Sequence, residues 1–521
     1  MPKAAFTTLG CKVNQYETQR ILDDFEAYGF EITEFNKCAD IYVINTCSVT
    51  QAAEKKSRAI IRRAARLNSD AVVIVTGCYG EMANIKNESI PEAGLLVPNH
   101  KKLQTLEHLI ASHPRLAQTA RAAIAPGASS SRPSRTATRT RATLKVQDGC
   151  NVFCSFCSIP QTRKFMISRT IEELVDEATT MAANGFKEIV ITGVLVGAFG
   201  QDRFTAQPVT QLPRIDLRSI HNPFEIDGPE PEPDLALLLL QLARVQGIER
   251  IRLSSIEPTQ VTDRLIAAFM LEPKLCPHLH IPLQSGDSEV LFGMNRPYDR
   301  DFYIERCNHA LACIPNLAIT TDIMVGFPGE DEAAFQNTVD VVQQVKFARA
   351  HIFRYSPRPN TDAAEMEDHV SEEIKQERAI RLAEVCREVQ RQFVATYIGK
   401  SLPVLVEGRT AVNNAGDEAV SMASEVLGSA TDGGSSGMLL SGYTSNYIRV
   451  QFAGGSHLAG TIQEVTLLEP SGDGAIGSVG DAHFAADEPP PDATFIPLTT
   501  FAAQLTQLPN TGLQFDRLPL S

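Results

Sequence analysis

The chain is predicted to be an α/β protein in three parts: an N-terminal doubly wound parallel sheet, a partial (β/α)6 barrel, and a small C-terminal antiparallel β-barrel. Three observations carry that prediction. Between Ala4 and Cys78 an apolar strand-like run ends near a cysteine three times over, with helical segments between the runs. From Leu144 to Tyr355 six strand-like runs alternate with helical ones. Past Leu402 the runs become short and are separated by turn residues.

In the first part, Ala4 to Leu9 precedes Cys11, Ile41 to Asn45 precedes Cys47, and Ala71 to Thr76 precedes Cys78. A helix from Asn14 to Tyr28 is marked by a capping-box pair, Asn14 and Glu17, by apolar Ile21, Leu22 and Phe25, and by Gly29 at its end. A second helix, Gln51 to Leu67, follows Cys47. Strands joined by helices at this pitch lie parallel, and the crevice of such a sheet opens beyond the strands' carboxyl ends. All three cysteines arrive at that edge. They read as one three-thiolate site rather than as three small buried hydrophobes. Cys38, Cys276, Cys307, Cys313 and Cys386 lack this placement and read as core or incidental.

The expected boundaries are 1–118 for this part, 119–141 for a linker, 142–398 for the barrel, 399–470 for the small barrel and 471–521 for a tail. The linker is Ala, Ser, Thr, Pro and Arg without an apolar period. Its Arg121, Arg132, Arg135, Arg139 and Arg141 either keep it solvated or form a phosphate-tracking arm. The barrel strands are expected at Leu144–Gln147, Glu188–Thr192, Arg250–Ser254, His278–Leu283, Ala318–Val325 and Ala350–Tyr355. Chemistry in such barrels sits at the carboxyl ends of the strands. Residues 201–234 interrupt the pattern as a Pro- and acid-rich surface insertion. The helical stretch Ser371 to Tyr397 belongs on the barrel's exterior. Leu402–Glu407, Ser445–Phe452 and Thr461–Leu468 read as strands of the small barrel, interrupted by a Gly/Ser-rich excursion over 410–440. The tail is Pro- and Ala-rich, a composition that favours disorder.

Charge and hydropathy narrow the function classes. The 521 residues include 48 basic and 62 acidic side chains, a net charge of −14, which excludes a general nucleic-acid coat. No stretch approaches the ~18 uninterrupted apolar residues of a membrane span, and the start lacks a signal-peptide layout, so the expected compartment is the cytoplasm. One local exception stands out. The helix Gln51 to Leu67 carries Lys55, Lys56, Arg58, Arg62, Arg63 and Arg66 against one acid, Glu54, which makes it the candidate phosphate-binding surface rather than a merely solvated face.

Cys150, Cys154 and Cys157 are spaced C-x3-C-x2-C directly after the first barrel strand. A structural zinc wants four tetrahedral ligands and a cubane iron–sulfur cluster four thiolates, so a claw of three leaves one metal corner open to a small molecule. The alternatives are a zinc site with a distant fourth ligand, for which His278 or His280 could serve, and a disulfide framework. Eleven Cys in a long chain without a secretory signal speak against the latter.

That spacing resembles the signature of the radical S-adenosylmethionine (radical SAM) superfamily, in which a [4Fe-4S] cluster chelates the methionyl end of SAM and splits it into methionine and a 5′-deoxyadenosyl radical. The runs Thr8-Leu9-Gly10-Cys11-Lys12-Val13-Asn14-Gln15-Tyr16-Glu17-Thr18, Asn45-Thr46-Cys47-Ser48-Val49-Thr50 and Thr76-Gly77-Cys78 are added to it. Together they make the chain, from Met1 to about Pro470, resemble a radical SAM methylthiotransferase. The words after Cys11 are most similar to the branch acting on N6-threonylcarbamoyladenosine at tRNA position 37. Substrates of the other branches, N6-isopentenyladenosine and a ribosomal-protein aspartate, remain alternatives.

The resemblance implies two [4Fe-4S] clusters, one on Cys150, Cys154 and Cys157 and an auxiliary one on Cys11, Cys47 and Cys78, with two SAM molecules consumed and no catalytic side chain beyond clusters and SAM. It implies SAM contacts from Phe156, Thr192, Gly193, Ser254, Glu257, Gln284 and Asp322, and a C-terminal TRAM-like RNA-binding module. The implied partners are a tRNA anticodon stem-loop, a reductase or flavodoxin-type electron donor and a sulfur donor, with no membrane and a monomeric chain. Abstracting hydrogen from an sp2 adenine carbon has no acid–base route, hence a radical and a shielded chamber. Departures from the family pattern are Leu195-Val196-Gly197-Ala198-Phe199-Gly200, a thinned basic run around Arg296-Pro297-Tyr298, and a TRAM-like region richer in acids than bases. Two rivals remain. A cobalamin-dependent radical SAM enzyme would need an Asp-x-His-x-x-Gly motif that residues 1–118 lack, and a non-catalytic cluster-bearing RNA-binding protein would need no open metal corner.

Overall fold

The computed structural model describes residues 1–48, 50–121, 140–200, 234–409 and 438–479. Most of the expected linker, with Arg132, Arg135 and Arg139, most of the 201–234 insertion, the bulk of the Gly/Ser excursion and residues 480–521 fall outside the described residues.

Five parallel strands, β1 (Lys3–Thr8), β2 (Glu31–Thr33), β3 (Ile41–Thr46), β4 (Val72–Gly77) and β5 (Leu95–Leu96), form the first sheet in the order β2-β1-β3-β4-β5. Alternation sends successive side chains to opposite faces. Ile41, Val43 and Ile74 join Ile21 and Phe25 in one core, while Tyr42, Ile44, Val73 and Val75 join Ile61 and Ala64 in another. Helix α1 (Lys12–Tyr28) thus covers one face and α2 (Gln51–Leu67) the other, the doubly wound arrangement expected. α2 opens on Thr50, whose hydroxyl accepts from the Ala53 N–H at 3.1 Å. α1 corrects the sequence reading. Its N-cap is Cys11, so Asn14 and Glu17 are no capping box but buried residues within the helix. Asn14 donates to the carbonyls of Leu9 (2.9 Å) and Thr46 (3.0 Å), and Glu17 turns toward the neighbouring barrel.

The barrel strands are β6 (Arg141–Lys145), β9 (Glu188–Thr192), β10 (Arg250–Leu253), β11 (His278–His280), β12 (Ala318–Val325) and β13 (Arg349–Arg354), with β7 (Gln147–Asp148) and β8 (Ile167–Ser168) pairing beside them. Two parallel sheets, β10-β9-β6 and β11-β12-β13, are joined through the bridges Ile251↔Leu275 and Ser255↔His280. β6 and β13 are the two free edges, so the barrel is partial and open on one side. Leu144, Ile191, Leu253, Leu279 and Ile323 face the helices, and the alternate residues, among them Thr192, Arg252, His280, Asp322 and His351, line the lumen. The helix Glu372–Ala395 packs Leu382 and Val389 onto the same outer core, where the sequence put it.

The last body is a closed barrel in the order β14-β15-β16-β18-β17, built from β14 (Ser401–Arg409), β15 (Met438–Thr444), β16 (Arg449–Gly454), β17 (Ile462–Ser471) and β18 (Gly474–Ser478). The sequence signals no strand at β15, which begins inside the expected excursion, and several boundaries differ from expectation. β18 lies in the segment assigned to the tail, because Gly-Ala-Ile-Gly-Ser is too sparsely apolar to signal a strand. The expected Ser445–Phe452 strand begins at Arg449, since Ser445 to Ile448 turn, with Tyr447 at φ 70°. The linker is shorter than read, with a helix reaching Arg121 and Arg141 opening β6, where it pairs with Glu407 at 2.7 Å.

That turn docks the small barrel against the larger one. Arg252 donates to the carbonyls of Ser445 (2.9 Å) and Thr444 (3.1 Å), and Arg250 to those of Tyr443 (3.1 Å) and Pro403 (2.5 Å). Tyr447 stacks on His278 with ring centroids 4.4 Å apart. A bulky residue at positive φ is uncommon and persists where surrounding contacts over-determine it, as here.

Candidate active site

The three claw cysteines hang on a loop whose shape is fixed from both sides. Gly149 has φ +78°, and a Cβ there would stand 2.1 Å from the Phe165 carbonyl oxygen, so the turn into Cys150 requires glycine. Asn295 donates to the carbonyl of Phe153 at 2.8 Å, and Ser155 takes the Met294 carbonyl at 3.0 Å and that of Gly293 at 2.8 Å. Arg296 donates to the Cys154 sulfur at 2.9 Å and is itself held by the Glu257 carboxylate. Burial and then the charge of Cys154 push the Cys157 thiol up to about 12, and burial and the same neighbour raise Cys150. Burial also raises Cys154, though Arg296 opposes it. Three half-buried thiols, all held up by burial, favour a cationic metal group that takes them as thiolates.

The other expected contacts lie at successive strand ends. Thr192 closes β9, and a Cβ on Gly193 would meet the Gln147 carbonyl oxygen at 3.0 Å, which seats that turn against the strand entering the claw. Ser254 donates its N–H to Ile191, Gln284 (φ 63°) bonds its N–H to the Asp322 carbonyl, and Asp322 faces His280 at 3.2 Å. Phe156 packs edge-on to Phe327, centroids 6.4 Å apart. Glu257 is engaged by Arg296 rather than free. His278 and His280 both spend a ring nitrogen on the Thr320 hydroxyl, each at 2.9 Å. Among the described residues no three His, Cys, Asp or Glu side chains converge on one ion, whereas a cubane takes one thiolate per iron and needs them apart.

Register brings the second triad together. Thr8 pairs with Asn45, and Asn45 with Thr76, on adjacent parallel strands, so Cys11, Cys47 and Cys78 each leave the sheet two or three residues past the same level. Gly10 and Gly77, at φ +96° and +90°, turn the chain off the strands. A Cβ on Gly10 would stand 2.8 Å from the Cys47 sulfur, and one on Gly77 2.4 Å from the Thr46 carbonyl oxygen. Cys47 and Cys78 are buried and Cys11 is exposed.

Between the two triads lies a buried ionic hub. One Glu17 oxygen accepts from Lys145 (2.6 Å) and Arg163 (3.0 Å), the other from Lys102 (2.7 Å) and Arg163 (2.9 Å). Asp148, two residues before Cys150, accepts from Lys145 at 2.6 Å and Arg163 at 2.7 Å. Burial alone would raise the Glu17 carboxyl, yet Arg163, Lys102 and Lys145 hold it well below the usual carboxylate range. The Lys102 ammonium is also shifted down, because burial depresses it more than Glu17 restores it. Three cations share Glu17, whereas Lys102 has no second carboxylate partner among the described residues. Asn99 donates to the Thr162 carbonyl (2.8 Å), Lys164 pairs with Glu81 (3.1 Å), and Arg358 donates to the Ser48 carbonyl (2.5 Å), tying both cysteine loops together.

Residues 3–96 match the model of the Uncharacterized protein family UPF0004, and residues 144–342 that of the Radical SAM superfamily. The threonylcarbamoyladenosine tRNA methylthiotransferase MtaB of Bacillus subtilis (strain 168) is 36% identical over 481 residues, covering 90% of this chain and 94% of that protein. The chain belongs to the radical SAM methylthiotransferase family. The MtaB protein of Thermotoga maritima is 35% identical, covering 78% of this chain and 87% of its own. The tRNA-2-methylthio-N(6)-dimethylallyladenosine synthase of Methylacidiphilum infernorum is 33% identical, covering 79% and 86%. A solved radical SAM methyltransferase, TsrM from Kitasatospora setae, aligns at a TM-score of 0.45 and 14% identity over 70% of this chain and 75% of that one, a likeness that decides nothing further.

On this methylthiotransferase the basic helix keeps its charge outside. Lys55, Lys56, Arg58, Arg62, Arg63 and Arg66 are all exposed, opposite buried Ser57, Ile61 and Ala64. Arg58 pairs with Glu54 and Arg62 with Glu92, each at 3.5 Å, while Lys55, Lys56, Arg63 and Arg66 make no ion pair among the described residues. No helix is long and apolar enough to cross a membrane among the described residues. Sequence reasoning missed the hub and Arg296. Charges spread over 146 residues of sequence, from Glu17 to Arg163, give no local pattern. The signal available for Arg296 was its place in an otherwise thinned basic run.

Proposed function

We propose that the chain replaces the C2 hydrogen of N6-threonylcarbamoyladenosine at tRNA position 37 with a methylthio group. It would do so with SAM at a [4Fe-4S] cluster on Cys150, Cys154 and Cys157 and a second [4Fe-4S] cluster on Cys11, Cys47 and Cys78. The observation that carries the reading is the shared interface of the two cysteine triads, tied through Glu17, Asp148 and Arg163. A sulfur source and a hydrogen-abstracting centre must act on one carbon, so they must lie on one rigid frame. Identity of 36% to a protein named for this nucleoside supports the substrate.

The donor set suits the second cluster. Among the described residues Lys102, Lys145 and Arg163 pair with Glu17 and Asp148, leaving one buried positive charge in excess, and Lys102 and Arg163 both feel the charge of Cys78. An anionic thiolate-ligated group at Cys78 offsets that excess. When bound, the two clusters and SAM supply the one-electron chemistry that breaks an unactivated C–H bond, and the sulfur that replaces the hydrogen.

The chain's own residues hold the frame and the substrate. Arg296, fixed by Glu257, directs a charged N–H at Cys154, which tunes that sulfur. Phe156, Phe327 and Tyr355 form an apolar wall beside the claw that keeps water from a reactive intermediate. The exposed cations of α2 meet the anticodon-stem phosphates. In this reading residues 1–118 are the methylthiotransferase-type domain, 142–398 the radical SAM barrel and 399–479 the TRAM-like module, while a reductase or flavodoxin-type protein and a separate sulfur donor serve a monomer in the cytoplasm.

Mass spectrometry of tRNA nucleosides from a deletion strain and its complement tests the proposal. The methylthio form of threonylcarbamoyladenosine should vanish on deletion and return with the wild-type gene but not with Cys47→Ala. Loss of a different methylthio nucleoside would overturn the substrate.

A further inference from the structure

Phe353 is a large apolar side chain left open at the mouth of the lumen, with 49% of its surface exposed. Its neighbours on β13, Ala350 and Ile352, pack against the outer core, so alternation turns His351 and Phe353 to the lumen side. The rings of His351 and His280 lie 6.1 Å apart, which fixes that side independently. Phe353 stands in register with Met324, and Met324 packs in the cluster that holds Phe156 of the claw. The strand register therefore places Phe353 beside the cluster that also carries Phe156 of the claw. β13 is the free edge of the sheet, and the ring makes no aromatic contact among the described residues.

We propose that Phe353 is a stacking platform for an unstacked nucleobase of the tRNA substrate, at the point where the anticodon loop enters the chamber. The proposal rests on the tRNA reading above. Single-stranded RNA bases are bound by laying their faces on aromatic side chains, and every base offers such a face. An exposed phenylalanine alone needs no explanation, and what singles out Phe353 is its place on the lumen side in register with Met324, where a base drawn out of its loop, having lost its own stacking partners, meets a new one.

The chain contains no tryptophan, so Phe353→Trp places a single indole reporter at the site. In the full-length protein its emission should change on titration with an anticodon stem-loop carrying N6-threonylcarbamoyladenosine, and not with SAM alone. Binding of a labelled stem-loop, followed by anisotropy, should weaken about tenfold in Phe353→Ala and recover in Phe353→Tyr and Phe353→Trp. An equal response to SAM alone would assign the ring to that ligand and overturn the proposal. So would wild-type affinity in Phe353→Ala. If the wild-type protein binds no stem-loop, the tRNA reading and this inference fall together, while tight wild-type binding with a silent indole removes this inference alone.

Discussion

Glu17 and Arg163, 146 residues apart, form a bidentate buried pair at 3.0 and 2.9 Å, and that pair is where the N-terminal sheet meets the barrel. Arg163 follows the claw by six residues and Glu17 follows Cys11 by six, so the pair links the two cysteine sites through short stretches of chain.

Breaking this pair should be expensive. Glu17→Gln leaves Lys145 and Arg163 facing Asp148 and Lys102 without a carboxylate, and removing one partner of a buried ionic set costs about 3–5 kcal/mol. Calorimetry of the full-length protein should show a Tm lower by several degrees, with Glu17→Asp less affected and Lys102→Met partly restoring Glu17→Gln. An unchanged Tm contradicts the assigned role.

Arg296→Ala removes a charged donor from Cys154. Losing a positive charge and an N–H···S bond makes a cluster harder to reduce, so a redox titration followed by electron paramagnetic resonance should show a lower potential than wild type. Glu257→Gln, which leaves the arginine but loosens it, should give a smaller shift in the same direction.

On α2, Arg62 already pairs with Glu92 whereas Arg63 makes no ion pair among the described residues. Neutralising Arg63 should weaken tRNA binding more than neutralising Arg62. Each charge that truly meets a phosphate lowers the slope of log affinity against log salt by about 0.7–0.9. Binding measured over a range of salt concentrations checks this, and equal slopes for wild type and the double variant argue against the helix.

The docking of the small barrel should be pH-sensitive. Burial, then Arg252, holds the His278 imidazole well below its ordinary 6.5, so it stays neutral in the folded protein. The unfolded chain binds a proton there below that value and the folded chain does not, so stability falls as the pH drops below 6.5 and is fully present above it. The loss is about 1.4 kcal/mol per pH unit while folded His278 remains neutral. Denaturant unfolding across pH 5–7 should show a shallower dependence in His278→Gln.

Much of this architecture was legible in the sequence, because its signals are local. The alternation in Ile41–Thr46, the basic run of α2 and the strand-then-cysteine units depend on neighbours within a few residues. What escaped was non-local or low in contrast. Asn14 and Glu17 carry the spacing of a capping box, but Asn14 is held by the Leu9 and Thr46 carbonyls of its own sheet and Glu17 by the barrel. β18 is mostly glycine and alanine, and Tyr447 looks like an ordinary strand residue until its ring is seen on His278. The roles of Arg163 and Lys102 follow from tertiary placement alone.

The central claim is that two separate trios of cysteine each hold a cubane. Iron and acid-labile sulfide should be counted in anaerobically reconstituted wild type and in a variant with Cys11, Cys47 and Cys78 all replaced by Ala. The account predicts about eight irons per chain in the first and about four in the second, with SAM cleavage surviving the substitution and sulfur insertion lost. About four irons in both proteins would contradict it.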